Sequence, residues 1–67
     1  MIEITIKREW MTYWHQIERD GVRLPPATVT ADRARGIIQQ HPAGAMESGH
    51  RPDFAHTPCV WAWVARI

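Results

Sequence analysis

A single cysteine in 67 residues leaves the chain without an internal disulfide, and a reducing cytoplasm is the compartment that fits. Long apolar runs are missing too. The longest, residues 59–65, falls far short of the ~20 residues that a membrane span needs. The first ten residues, "MIEITIKREW", hold an acid at position 3 and no apolar stretch, so no secretory leader is expected. Charge of one sign is also scarce. Eight basic residues against seven acidic ones give a net charge of +1. A general nucleic-acid binder carries a strongly basic face and a DNA mimic an acidic one, and this balance disfavours both. No Gly-rich phosphate loop is present, and Ser48 in "ESG" lacks the context of a nucleophile elbow.

What the chain does have is apolar bulk. Hydrophobic residues make up 45% and charged residues 22%, which is the range of folded domains. The length suits one domain, residues 1–67. A domain of this size buries only about 60% of the surface its unfolded chain exposes, so each cover for an apolar face counts. Lysine is nearly absent: the bases are seven Arg and one Lys. Arg suits interfaces through planar, bidentate contacts and stacking, although GC-rich coding bias gives the same composition.

Residues 2–9, "IEITIKRE", alternate cleanly, with Ile2, Ile4 and Ile6 on one face. That is a half-buried strand. Residues 10–21 read either as a helix ending at Gly21 or as a strand ending in an Asp-Gly turn. Their aromatic and β-branched content favours the strand. Pro25 and Pro26 belong to a loop or an edge, and "ATVT" pairs as a short strand. "TADRARGIIQQHP" is a helix with Thr30 as N-cap, Asp32 in the first turn and Pro42 as the stop. Ala34, Ile37, Ile38 and His41 make its one apolar face. Residues 42–58 hold three Pro and two Gly with no period, so they read as a long loop.

"CVWAWVARI", residues 59–67, is the last strand, and both of its faces are apolar. The expected fold is α+β: an antiparallel sheet of three or four strands with one helix packed on one face, in the order β-β-(β)-α-β. The small side chains Val60, Ala62 and Val64 suit the surface under the helix. Trp61 and Trp63, joined by Trp14, would then present an aromatic surface on the other side. Arg23, Arg51 and Arg66 would form its rim. In the competing arrangement the tryptophans are the core, and Met46 and Phe54 from the long loop help to cover them.

His50, Asp53, His56 and Cys59 recur every third residue, and each is a possible zinc ligand. Their spacing matches no known finger, so no metal or cofactor is expected. Cys59 beside a histidine is a conceivable nucleophile, but no base-orienting pattern accompanies it, and no enzyme is expected. The sequence favours a small binding protein that docks on a protein or ribonucleoprotein complex. A homodimer and a single-strand nucleic-acid binder are the alternatives.

With "IEITIKRE" as first strand, "TADRARGIIQQ" as helix and "VWAWVARI" as last strand, the layout resembles that of the small phage-encoded inhibitors of bacterial defence, the anti-CRISPR proteins. The resemblance implies inhibition by occupying a nucleic-acid or subunit surface of an RNA-guided complex.

Overall fold

A computed structural model describes residues 1–49 and 51–67. Six strands form one antiparallel sheet: β1 (Ile2–Trp10), β2 (Thr12–Arg19), β3 (Val22–Arg23), β4 (Ala27–Val29), β5 (Ala45–Ser48) and β6 (Cys59–Arg66). The single helix, α1 (Ala31–Gln40), lies between β4 and β5 in the chain. The lateral order is β3-β2-β1-β6-β5, and β4 also pairs with β2. The α+β class with one helix is therefore as the sequence implied, with more strands than the expected three or four. The ambiguous residues after Trp10 form β2, a strand. The addition is β5, inside what read as a loop: "AMES" is too short for a periodic signal and pairs at the edge of β6.

Hydrophobic patterning and turn chemistry fix the registers. Ile4 pairs with Ile17 and Ala65, and Ile6 pairs with His15 and Trp63, so these side chains share one face. The β2–β3 hairpin turns on Asp20 and Gly21, with φ of 51° and 82°. Asp-Gly with both φ positive is the preferred two-residue hairpin turn. Helix α1 starts where Thr30 accepts a hydrogen bond from the Arg33 amide at 3.1 Å, satisfying one of the free N–H groups of the first turn.

The helix covers the face carrying Ile4, Ile6, Tyr13, Trp61, Trp63 and Ala65, and contributes Ala34 and Ile37 to the buried core. This reverses the expected orientation of β6. Trp61 and Trp63, expected on an open surface, are 2% and 3% exposed beneath the helix and loop. Val60, Ala62 and Val64 point the other way. The reason is bulk: so short a chain needs two indoles to fill the space under one helix. Met46 and Phe54 do pack against this core, as the competing arrangement required. The close approach of the chain between α1 and β5 needs Gly44, where a Cβ would overlap the Trp63 indole.

Trp63→Ala is expected to cost about 3–5 kcal/mol, as a large cavity in a small core does. Urea denaturation measures it. An unchanged midpoint would place the indole outside the core.

Candidate protein-binding surface

Arg8 is the most informative side chain. It is 1% exposed, on the core face of β1 between Tyr13 and Trp61. Its Nε donates to the Trp10 carbonyl at 2.7 Å and its Nη1 to the Asp53 carbonyl at 2.6 Å. Its Nη2 donates to the carbonyls of Ala55 at 2.9 Å and Thr57 at 2.6 Å. The guanidinium carbon stands 5.1 Å from the centre of the Tyr13 ring. One fork thus ties the segment 53–57 and the tip of the β1–β2 hairpin to the core. Trp61 adds an indole N–H to the Asp53 carbonyl at 3.0 Å. Phe54 then stacks on Tyr13 at 5.5 Å, meets Trp61 edge-on at 5.7 Å, and lies under the Arg35 guanidinium. Replacing Arg8 by Ala is expected to destabilise the fold by about 3–5 kcal/mol, and Arg8→Lys by about 2 kcal/mol or more, because an ammonium cannot reproduce the fork. Thermal melting of the two variants tests this. A loss below about 1 kcal/mol in both would show that the fork is dispensable.

The tip that Arg8 holds is Trp10–Met11. Trp10 is 68% exposed and Met11 is also exposed. Trp10 has φ of 58°, a left-handed value that is rare for a bulky residue. Met11 is not in that region. A hairpin turn with positive φ at its first residue alone favours glycine there. Trp10 pairs with Cys59 and Glu9 with exposed Val60, so the tip runs on into the start of β6. Beside them lies a groove of about 270 Å³ lined by Gly49, Arg51, Asp53, Cys59, Val60 and Trp61. The β5 register stops at Ser48 opposite Ala62. Among the described residues, Cys59–Trp61 of β6 therefore have a strand partner on the β1 side alone.

No family model, curated protein or solved structure matches the chain.

The expected site residues are scattered. Arg51 is exposed and lines the groove near the tip. Trp14, half-buried, is on the face opposite Trp61 and Trp63, since its register partner is Lys7 while theirs are Arg8 and Ile6. The three-tryptophan surface therefore does not form. Arg23 and Arg66 lie with Trp14 on the open face, Arg23 facing Glu18 and Arg66 bridging Glu3 and Glu47. Cys59 is half-buried against the core. His50 lies outside the described residues, and among those described no group of three or more His, Cys, Asp or Glu is placed to hold a metal ion. Trp10 and Met11 were missed as site residues. Their signal was available: a two-residue turn between strands with neither Gly, Asn nor Asp in it.

His15, on the helix side of β2, has its pKa held below 6.5 by burial and by the positive charge of Arg33. The folded state thus prefers the neutral imidazole. Its contribution to stability is complete above pH about 6.5 and is lost as pH falls below it, because the unfolded chain takes up the proton first. Urea midpoints from pH 7.5 to 5.5 should decline, and His15→Gln should flatten that decline. An equal decline in the variant would assign it to other groups.

Proposed function

We propose that this chain is a small non-enzymatic binding protein that docks on a larger protein complex through the hairpin tip and the adjoining groove, and inhibits or modulates that complex. The observation that carries the reading is Trp10. An exposed indole occupies a backbone position where glycine would fold at less cost, and buried Arg8 holds that position in place. Strain of this kind, of order 1–3 kcal/mol, persists where the surroundings over-determine it, and it clusters at functional sites. Exposed Trp beside Met and Val, with Arg51 at the margin, has the composition of a binding hot spot. The groove along the unpaired start of β6 suits an extended segment of the partner, which would add to the sheet edge by main-chain hydrogen bonds. A CRISPR-type defence complex is the partner that the layout resemblance implies.

Open-face charge disfavours the nucleic-acid alternative. All four glutamates lie there, Glu3, Glu9, Glu18 and Glu47, against Lys7, Arg23 and Arg66. A face without positive excess has little counterion release to gain from phosphates.

Affinity capture from bacterial lysate compares the wild type with Trp10→Gly/Met11→Ser. Recovery of the partner should drop at least about 10-fold, the loss of one hot-spot residue. The melting temperature should hold or rise, since glycine relieves the positive φ. Equal recovery by both proteins overturns the reading.

A further inference from the structure

Among the described residues nothing packs over the face of the sheet away from the helix, and its pattern is self-complementary. Four rows cross it, set by the strand registers. The row nearest the tip runs Thr12, Glu9, Val60. The next runs Thr28, Trp14, Lys7, Ala62, Ser48, and the third Gln16, Thr5, Val64, Ala45. The last runs Arg23, Glu18, Glu3, Arg66. In that last row the charges read plus, minus, minus, plus from one side to the other. Trp14, on β2, walls a cavity of about 300 Å³ together with Pro26, Lys7 and Gln16. Across β1, the equivalent positions on β6 carry the flat shelf of Val60, Ala62 and Val64. Within it Val64 is only 7% exposed, closed in by its neighbours on the sheet, while Val60 at the tip end is 58% exposed.

The geometry points to a second copy of this chain as the occupant of the open face, related by a two-fold axis parallel to β1. Such a rotation sets β2 of one copy over β6 of the other and keeps each row opposite itself. Trp14 then falls on the partner copy's shelf at its smallest residue, the indole standing between two valines. Glu18 falls opposite Arg66, and Arg66 opposite Glu18. On the axis Lys7, Glu9 and Glu3 each meet their own copy, and their charges are balanced within each chain, Lys7 with Glu9 at 2.8 Å and Glu3 with Arg66 at 3.0 Å. The alternative axis, across the strands at mid-face, fails on charge. It sets Glu18 against Thr12 and Arg66 against Val60, so it forms no ion pair between the copies. Interfaces of this isologous kind are the commonest way that soluble chains associate.

Away from the open start of β6, the edges direct association to the face. β5 has four residues with an irregular register between Met46 and Ser48, and β4 has three residues behind Pro25 and Pro26. Short, bulged and proline-flanked edges resist pairing with another sheet. Size sets the strength. Four strand spacings of about 4.8 Å by three row spacings of about 6.7 Å give a footprint near 400 Å² per copy. With side-chain relief the two copies together bury about 1,000 Å², the lower limit for a specific interface, so a dissociation constant in the micromolar range is expected. The rotation leaves both Trp10–Met11 tips at one end of the dimer and uncovered, so this inference does not rest on the docking reading.

Sedimentation equilibrium from about 1 to about 300 µM tests it, across the expected dissociation constant. The wild type should move from 7.8 kDa toward twice that mass. Ala62→Glu sets a carboxylate beside Lys7 in the monomer and under Trp14 in the dimer. It should keep its circular dichroism and melting temperature and raise the dissociation constant at least about 10-fold. For the axis, Thr5→Cys in a Cys59→Ser background should crosslink with a bismaleimide spanning about 10 Å, the sheet separation, and Thr28→Cys should not. A wild type that stays at 7.8 kDa throughout, an Ala62→Glu protein that dimerises as before, or crosslinking through Thr28→Cys overturns the proposal.

Discussion

Everything at the tip end of the molecule depends on a cation placed where a cation is costly. Arg8 sits inside the sheet's core face with no carboxylate against it among the described residues, and four carbonyl dipoles, the Tyr13 ring and the Met11 sulfur stand in for solvent. Several kcal/mol of desolvation are at stake for a buried ion, so the arrangement holds only while most of the fork's donors find acceptors. That condition works in both directions. The guanidinium stays buried because residues 53–57 fold over it, and those residues, lacking regular structure, stay folded because the guanidinium collects their carbonyls. Phe54 is delivered by the same segment onto Tyr13 and Trp61, so the apolar lid and the polar clamp are one unit.

The clamp also explains how a chain of 67 residues can dispense with disulfides. A segment of this length without strand or helix gains little from backbone pairing, and its ordering entropy must be offset elsewhere. Charge-assisted hydrogen bonds are about twice as strong as neutral ones, and four of them converge on one side chain. The hairpin tip is tied into the same group through the Trp10 carbonyl, at 2.7 Å. Displacing the tip would therefore disturb the lid, and the reverse holds too.

Where period and punctuation are local, the sequence was readable. Ile2, Ile4 and Ile6 alternate, Asp20-Gly21 marks its turn, and Thr30, Asp32 and Pro42 bracket the helix. The orientation of β6 was not local. Alternation says that Trp61 and Trp63 share a face, but both faces are apolar, and which one meets the helix depends on volumes contributed by Ile6, Tyr13 and Ile37 from elsewhere in the chain. Arg8 shows a second limit. By parity it belongs with the isoleucines, yet nothing in "IKRE" announces that a charge will be buried, because three of its four carbonyl acceptors lie 45 to 49 residues away. Strand β5 was hidden by its shortness, and the tip because residues 10–21 read as one element, strand or helix, with no turn at its start.

Two of the four tryptophans are core and two are not, and the division follows from strand parity and turn position rather than from residue type. Trp61 and Trp63 fill the single layer that one helix can cover. Trp14, one register step away from that face, is half-buried and lines an open cavity with Pro26, Lys7 and Gln16. Trp10 is 68% exposed, and its backbone adopts a conformation that a smaller residue would hold with less strain. Folding alone gives no reason for an indole at either place, since a polar residue at 14 and a glycine at 10 would satisfy the same sheet and the same turn. The surplus apolar surface is therefore distributed where the fold leaves openings, one on the bare face and one at the clamped tip. The two openings lie apart, one on the sheet's bare face and one at the end of the β1–β2 hairpin, so neither side chain can serve as cover for the other.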